Sequence, residues 1–203
     1  MTNCCDVAVI GAGLIGASAA CHLSGKLKTV LIEQESRPGY HSSGRSAAVL
    51  LPPYGGPIAR ALTAASIQFL SNPPSGFSQL PLTAPRGALF LASAIQLPLL
   101  DHWQGPEFAR MGAGARRLSA VEAAEYVPIL VTDQIAAAVL LPDVRDIDAA
   151  ALLHGYLKAF RANGGAVLLN SKVVAISRKK AVWVIETPAG TVCAKTLVNA
   201  AGA

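Results

Sequence analysis

Charged and aromatic residues are scarce in this chain, and their scarcity excludes several classes of protein. Of the 203 residues, 14% are charged and 5% are aromatic, whereas 52% are hydrophobic. A composition so rich in apolar residues excludes an intrinsically disordered chain. The net charge of +5 is spread over short basic groups without interleaved aromatic side chains. Nucleic acid is therefore not expected as a partner.

Cysteine is also rare, and the apolar runs are short. The four cysteines form no C-x-x-C pair and have no metal-ligand spacing, so reduced thiols and no metal site are expected. No uninterrupted apolar run is long enough to span a bilayer. The N-terminal region has no basic segment ahead of its apolar residues, and Asp6 interrupts it, so no signal peptide is expected. These absences predict a cytoplasmic protein without stable membrane insertion.

Residues 6–33 contain the most informative pattern in the chain. The wholly apolar run Val7–Ile10 is typical of a parallel strand buried on both faces, and it leads into the pattern G-x-G-x-x-G at residues 11–16. A second apolar run, Thr29–Ile32, ends at Glu33, 17 residues after the last of these glycines. Strand, glycine turn, helix and second strand with a terminal acid together predict a dinucleotide-binding unit.

Each of these positions has a physical role in holding a dinucleotide. Gly11 permits the tight turn, Gly13 lets a pyrophosphate approach the backbone, and Gly16 lets the helix pack closely on the strand. The pyrophosphate is expected at the helix N-terminus, where free N–H groups and the helix dipole favour negative charge. Glu33 is suited to accept a hydrogen bond from a ribose hydroxyl, which argues against NADP. FAD and NAD both remain open on these residues.

The segment after Glu33 makes the pattern more specific. Residues 39–48 read Gly-Tyr-His-Ser-Ser-Gly-Arg-Ser-Ala-Ala, and the apolar run Thr196–Asn199 is followed by Ala-Ala-Gly-Ala. With residues 6–33, these segments resemble the FAD-dependent D-amino acid oxidase/dehydrogenase superfamily, which includes glycine and sarcosine oxidases. Within it the chain is most similar to the D-arginine dehydrogenases. The resemblance extends over the whole chain through shorter segments at residues 54–55, 60–66, 72–77, 146–148 and 153–157.

The resemblance implies an FAD cofactor and a set of residues that contact it. These cofactor-binding candidates are Gly11, Gly13, Ile15, Gly16, Glu33, Gln34, Ser42, Ser43, Gly44, Arg45, Ser46, Ala47, Ala48, Val173 and Gly202. Tyr54 matches a family tyrosine near the substrate carboxylate and the flavin, where its hydroxyl would donate a hydrogen bond. A packed loop tyrosine is the alternative. His41 is a further candidate for contact with the flavin, and a loop histidine without such a role is the favoured alternative.

The resemblance also implies a reaction and a class of substrate. Family members oxidise an amine or a D-amino acid to an imine, which hydrolyses to a 2-oxo acid, and pass the electrons to oxygen or to a quinone. The chain departs from the D-arginine dehydrogenases at Val49, where they have an active-site histidine, and at Ala88, where they have an acid that meets the cationic side chain. A desolvated guanidinium without a partner is costly. An uncharged D-amino acid or other secondary amine is therefore expected.

The fold implied is α/β, with a Rossmann-like FAD-binding domain interrupted by an incomplete α+β substrate domain. Residues 1–48 and 146–203 are assigned to the FAD-binding domain, and residues 49–145 to the substrate domain. Family members continue past the position of Ala203. Their further residues include the arginine that binds the substrate carboxylate and a second glycine-rich segment that binds FAD. We therefore expect a fragment of a longer enzyme or a truncated gene product. A non-catalytic FAD- or nucleotide-binding remnant and an NAD-dependent dehydrogenase are the alternatives.

Local patterns predict further elements. Apolar residues at helical spacing predict a helix over residues 57–70, and Ser119 with Glu122 forms a capping box ahead of a short helix. Asp148 is expected to cap a longer helix that ends at Asn163-Gly164. Residues 95–111 favour a broken helix. A bent strand pair is predicted over residues 80–92, and single strands over residues 135–141, 166–169, 173–176, 182–186, 191–194 and 196–199.

Overall fold

The structure, a computed structural model, describes residues 3–52, 54–102 and 115–202. In these ranges the helices are α1 (Leu14–Ser24), α2 (Pro57–Ser71), α3 (Leu97–His102), α4 (Ala120–Tyr126) and α5 (Ala149–Ala162). The strands are β1 (Asn3–Ile10), β2 (Thr29–Ile32), β3 (Val49–Leu50), β4 (Thr83–Pro85), β5 (Ala88–Ala92), β6 (Arg116–Leu118), β7 (Ala137–Leu141), β8 (Arg145–Ile147), β9 (Ala166–Leu168), β10 (Ala175–Lys179), β11 (Val182–Thr187) and β12 (Gly190–Asn199).

The chain divides into two compact units. The first consists of Met1–Ala47, Pro73–Leu82 and Asp148–Ala203, and the second of Ala48–Asn72 and Thr83–Ile147. The sequence-based division at residues 48/49 and 145/146 differs from this one mainly at residues 73–82, which pack with the first unit. No sequence pattern in that segment marks it as part of the first unit.

The first unit is built on a six-stranded sheet with the order β10-β11-β12-β1-β2-β9. The four strands β12, β1, β2 and β9 are parallel, and β11 and β10 extend the sheet as antiparallel neighbours. This parallel core with helices and a short antiparallel edge confirms the predicted mixed α/β, Rossmann-like class.

The strands predicted over residues 191–194 and 196–199 are one continuous strand. Lys195 lies between the two predicted segments and does not interrupt the strand. Its side chain extends to Asp6 of the neighbouring strand β1, where Nζ lies 2.8 Å from Oδ1. The Lys195 ammonium and the Lys28 backbone N–H, which donates to Asp6 Oδ2 at 3.0 Å, hold the pKa of Asp6 below its usual value. One carboxylate thus joins β12 and the start of β2 to β1.

Helices α1 and α5 cover one face of this sheet. The side of α1 turned towards the protein carries small residues, including Gly16, Ala17 and Ala20, so α1 approaches the strands and α5 closely. Between them lie large apolar side chains from α5 and β2, among them Phe160, which is fully buried, and Leu31. This cluster fixes the position of α1 relative to the strand ends.

Asp148 caps α5 as predicted, because its carboxylate accepts a hydrogen bond from the Ala151 N–H at 2.8 Å. We expect Asp148→Ala to lower the free energy of unfolding by about 1 kcal/mol, since an N–H of the first turn loses its acceptor. Urea unfolding followed by circular dichroism measures this. Asp148→Asn keeps an acceptor and should unfold close to wild type, whereas equal losses in both variants would contradict a capping role.

Residues 73–82 are held against the outer surface of α5. The Lys158 ammonium donates to the Gly76 carbonyl at 2.8 Å, and the Phe77 and Tyr156 rings meet edge to face with centroids 5.1 Å apart. A Cβ at Gly155 would collide with the Phe77 ring. The packing therefore depends on the absence of a side chain at Gly155, at the middle of α5.

The second unit contains two three-stranded sheets, β3-β8-β4 and β5-β7-β6. The strand pair predicted over residues 80–92 is therefore wrong, because β4 and β5 belong to different sheets. Between them the Arg86 and Gly87 N–H groups both donate to the Val144 carbonyl, at 3.1 and 2.9 Å, and Gly87 has φ +77°. This turn redirects the chain from one sheet to the other.

The helices of the second unit follow the local patterns. Helix α2 confirms the prediction over residues 57–70, and α4 begins at the predicted capping box, where the Ser119 hydroxyl accepts from the Glu122 N–H at 3.3 Å. Pro98 lies in the first turn of α3 and does not break it, because that position needs no backbone donor. The second half of the broken helix predicted over residues 95–111 lies outside the described residues. Across the described ranges, no helix is both long and apolar enough to cross a membrane.

Candidate functional site

The first unit holds a cleft of about 440 Å³ at the carboxyl ends of β1, β2 and β12. Two backbone hydrogen bonds join these strand ends, from the Gly11 N–H to the Ile32 carbonyl at 2.7 Å and from the Ala200 N–H to the Ile10 carbonyl at 2.8 Å. Clefts at the carboxyl ends of parallel strands are where open α/β sheets bind their ligands.

Two glycines allow the backbone segments around the cleft to approach each other. Gly11 has φ +96°, and a Cβ there would collide with the Ala200 carbonyl oxygen. A Cβ at Gly16 would collide with the Gly11 carbonyl oxygen. The glycine turn therefore serves the close contact between the end of β1, the start of α1 and the end of β12.

The N-terminus of α1 opens into the cleft. Gly13 is its N-cap residue and makes no side-chain capping bond, so the first-turn N–H groups are not capped from within the helix. One of them, the Leu14 N–H, donates to the Ser43 hydroxyl at 3.0 Å. This arrangement of N–H groups and helix dipole favours a phosphate, and the Ser43 hydroxyl is placed to donate its own proton to the same group.

Glu33 directly follows β2 and lines the cleft, with 7% of its surface exposed. Its two carboxylate oxygens accept backbone hydrogen bonds, Oε2 from Ala12 at 2.7 Å and Oε1 from Glu35 at 2.9 Å. Each oxygen retains capacity for a further donor. A buried carboxylate oriented by two N–H groups is a preformed acceptor for the vicinal hydroxyls of a ribose.

The loop that follows β2 forms the rim of the cleft. It is tied to the glycine turn by the Gly39 N–H, which donates to the Ala12 carbonyl at 3.0 Å. His41 Nε2 lies 2.8 Å from Glu35 Oε1, at the surface. The guanidinium groups of Arg37 and Arg45 lie 5.2 and 5.4 Å from the centre of the Tyr40 ring. These cation–π contacts orient two positive charges beside the cleft.

The cofactor-binding residues predicted from the sequence are placed in three ways. Those that line the cleft are Gly11, Gly13, Ile15, Glu33, Gln34, Ser42, Ser43, Val173 and Gly202. Those that belong to the first unit but do not line the cleft are Gly16, Gly44, Arg45, Ser46 and Ala47. Ala48 and the predicted substrate residue Tyr54 belong to the second unit.

The cleft also contains residues to which the sequence analysis assigned no role. Ser171 and Lys172 follow β9, and the Ser171 N–H donates to the Glu33 carbonyl at 2.8 Å. Asn199 ends β12, and its side-chain carbonyl accepts from the Ala201 N–H at 3.2 Å, which supports the closing turn. A signal was available for Asn199, because a polar residue at the end of a buried parallel strand is typical of a binding cleft. Ser171 and Lys172 have no such signal.

Replacement of Ser43 by alanine tests the helix N-terminus. We expect Ser43→Ala to weaken FAD binding about 10-fold, because the Leu14 N–H loses its acceptor and a phosphate loses a hydroxyl donor. Fluorescence titration of the apoprotein with FAD measures this. Ser36→Ala, in the exposed part of the same loop, should bind FAD as wild type does. Equal affinity of both variants would show that Ser43 takes no part in phosphate binding.

The chemistry of the cleft fits a dinucleotide. A helix N-terminus supplies donors for a pyrophosphate, a buried carboxylate supplies acceptors for a ribose, and the Gly13 backbone leaves room, since a Cβ there would lie 3.0 Å from the Ser43 hydroxyl. Among the described residues, no three His, Cys, Asp or Glu side chains converge as metal ligands would.

Comparison with known families agrees with this geometry. Residues 6–203 match the family described as "DAO: FAD dependent oxidoreductase". The match begins at the first strand of the glycine fingerprint and includes both units.

Solved structures share the fold at low sequence identity. Glycine oxidase from Geobacillus kaustophilus is 23% identical, with a TM-score of 0.82 over 100% of this chain and 56% of that one. L-alpha-glycerophosphate oxidase from Mycoplasma pneumoniae, solved with FAD bound, is 20% identical, with a TM-score of 0.83 over 99% and 55%. L-proline dehydrogenase from P. horikoshii is 18% identical, with a TM-score of 0.80 over 100% and 54%. The chain thus spans about half the length of these structures.

Proposed function

Because this chain belongs to the family of FAD-dependent oxidoreductases and its cofactor is FAD, we propose that it serves the oxidation of an amine or an uncharged D-amino acid to an imine, which hydrolyses to a 2-oxo acid. The part of this proposal that concerns the cofactor rests on one observation. The buried Glu33 carboxylate and the N-terminus of α1, which has no side-chain cap, lie in the same cleft. The substrate half is supported by the resemblance to amine-oxidising enzymes and by the names of similar structures, glycine oxidase and L-proline dehydrogenase.

Different residues of the cleft would bind different parts of the cofactor. Glu33 would accept hydrogen bonds from the ribose next to the adenine, and the first turn of α1 with Ser43 would bind the pyrophosphate. The Arg45 guanidinium, held over Tyr40, adds positive charge near the phosphates. When bound, FAD supplies the acceptor for a hydride from the substrate carbon that bears the nitrogen.

On the substrate side, the proposal concerns residues of the second unit. The side chain of Tyr54 is 66% exposed, so its hydroxyl is accessible to donate a hydrogen bond to a substrate carboxylate. Val49 and Ala88 lie in β3 and β5 and bring neither a proton-transfer group nor a carboxylate. The proposed substrate is therefore an uncharged D-amino acid or secondary amine, because a guanidinium would lack a partner.

The test is a visible absorption spectrum of the purified chain, repeated after anaerobic addition of D-alanine, D-proline or D-arginine. We expect a flavin spectrum that bleaches, at least about 10-fold faster with D-alanine or D-proline than with D-arginine. Tyr54→Phe should raise the substrate concentration needed for half-maximal bleaching without loss of bound flavin. Adding oxygen or a soluble quinone to the bleached protein then shows which acceptor restores the colour.

Two other outcomes would replace the proposal. A flavin spectrum that none of the amines bleaches would favour the second candidate, a chain that binds FAD without catalysis, whose supporting observation is that all residues lining the cofactor cleft belong to the first unit. Faster bleaching by D-arginine than by the uncharged amino acids would refute the proposed substrate class while leaving the FAD site intact.

A further inference from the structure

Two cysteines from distant parts of the sequence lie side by side in the sheet of the first unit. Cys4 of β1 is the register partner of Cys193 of β12, and the two strands are parallel, so their side chains leave the same face of the sheet. Cys4 is exposed and Cys193 is half-buried. The pair lies about 20 Å from the cofactor cleft, because Ile10 at the cleft comes six residues after Cys4 along β1, at about 3.3 Å per residue.

The two sulfur atoms are within reach of each other. Register partners on parallel strands lie directly beside each other, so the Cys4 and Cys193 thiols are neighbours on that face. The adjacent Cys5 lies on the opposite face, where it is 6% exposed and packs with Ala194, and its thiol donates to the Cys193 carbonyl at 3.3 Å. Cys4 and Cys193 therefore form a dithiol that excludes Cys5.

The spacing of the two strands is compatible with a disulfide. Neighbouring strands lie about 4.8 Å apart, and the Cα atoms of disulfide-bonded cysteines lie about 4.4–6.8 Å apart. The Cβ atoms of a disulfide prefer about 3.5–4.5 Å, which is closer than parallel register provides. A bond at this position would be strained, and strained exposed disulfides are the readily reduced ones.

The surroundings of the two thiols differ. Desolvation raises the pKa of the Cys193 thiol, the neighbouring Cys4 raises it further, and the Lys179 ammonium opposes both effects. The exposed Cys4 is therefore the thiol that an oxidant in solution reaches. The half-buried Cys193 is the thiol that then reacts with the oxidised Cys4.

We propose that Cys4 and Cys193 are a redox modification site that forms a reversible disulfide in the presence of hydrogen peroxide. The Cys4 thiolate attacks one peroxide oxygen, the O–O bond breaks, and hydroxide leaves, which gives a sulfenic acid. The Cys193 thiolate then attacks the Cys4 sulfur, the S–O bond breaks, and the hydroxide leaves as water after taking up a proton. Overall the two thiols lose two protons and two electrons, and one peroxide becomes two water molecules.

The disulfide would tie β1 covalently to β12. Because the bond would close a loop containing almost the whole chain, the oxidised protein should resist unfolding by urea better than the reduced protein. The cofactor cleft lies at the other end of the same strands, so its occupancy should not change.

The experiment uses the full chain with its FAD, treated with equimolar hydrogen peroxide, alkylated and digested with trypsin without reductant. We expect the peptide of residues 1–26 linked to that of residues 181–195, with fragmentation placing the bond at Cys4. The number of titratable thiols in denaturant should fall from the four in the sequence to two, and dithiothreitol should restore them. Cys4→Ser and Cys193→Ser should each abolish the link, whereas Cys21→Ser should retain it.

A second measurement does not depend on oxidation. Phenylarsine oxide binds adjacent thiol pairs, and we expect one equivalent to bind the wild-type chain and to block the later link, with no binding to Cys193→Ser. The proposal is overturned if the link forms through Cys5 or Cys21, if Cys4 oxidises to a sulfinic acid without any link, or if Cys193→Ser binds the arsenical as wild type does.

Discussion

Replacement of Gly11 by alanine is expected to abolish FAD binding and to lower the free energy of unfolding by about 3–5 kcal/mol. Gly11 has φ +96°, and its new Cβ would collide with the Ala200 carbonyl oxygen and lie 2.8 Å from the Ala201 Cα. Both are backbone atoms of the turn that closes the cleft, so no rotamer change relieves the contact. Urea unfolding and the flavin absorbance of the purified variant measure the two effects.

Substitutions at two other glycines distinguish an effect on stability from an effect on FAD binding. Gly25→Ala is the matched control, because a Cβ there meets nothing within 4 Å and φ is −63°, so unfolding should change by less than about 1 kcal/mol. Gly13→Ala brings a Cβ 3.0 Å from the Ser43 hydroxyl at an ordinary φ of −74°. It should fold and yet bind FAD about 10–100-fold more weakly. A Gly11→Ala protein as stable as Gly25→Ala would contradict the close approach of Gly11 and Ala200.

Replacement of Glu33 by glutamine is expected to weaken FAD binding about 10–100-fold and to cost about 2 kcal/mol of stability. The glutamine amide has the shape of the carboxylate, but its NH₂ group must face the N–H of either Ala12 or Glu35, which now bond to Glu33 at 2.7 and 2.9 Å. One buried donor is thus left without an acceptor, and the ribose loses a charged acceptor. Isothermal titration of the apoprotein with FAD, together with urea unfolding, measures both losses.

Glu35→Gln provides the control for the loss of a charge in the same loop. Its carboxylate pairs with His41 at the surface, where the two side chains are 30% and 54% exposed, and exposed pairs contribute roughly 0–1 kcal/mol. The Glu35 backbone N–H that bonds to Glu33 is unaffected by this change. If both glutamine variants bound FAD equally well, the assignment of Glu33 to the ribose would be refuted.

The elements that local patterns specify were predicted well. The capping box of Ser119 and Glu122, the Asp148 cap and the end of α5 at Asn163-Gly164, where Gly164 has φ +82°, are confirmed. Each of them depends on residues within one helical turn. The strand Thr29–Ile32 has the predicted bounds, since an apolar run between a charged segment and an acid has clear limits.

Elements that depend on distant partners were predicted less well. The break between two strands that was expected at residue 195 is absent, because the Lys195 side chain forms an ion pair with Asp6 of the neighbouring strand. The pair expected over residues 80–92 is divided between two sheets, because Val144, more than fifty residues away in sequence, accepts the hydrogen bonds of the turn between them.

The candidate site shows the same division. Gly11, Gly13 and Glu33 were identified from their spacing, because the tight turn, the phosphate approach and the ribose acceptor require particular residues in a short segment. Ser171 and Lys172 were not identified, since they reach the cleft only through the pairing of β2 with β9. The roles of these residues in binding FAD stay predictions, as does the role of Tyr54 on the substrate side.

The sequence by itself determined the dinucleotide fingerprint, the helix caps and the family to which the chain belongs, because these depend on residue types at short, definite spacings. The tertiary structure alone decided that β12 is one strand with Cys193 beside Cys4, that residues 73–82 pack on α5, and that Ser171 lines the cleft. Such contacts join residues far apart in the chain, and their free energy depends on strand register and side-chain packing that no short segment specifies.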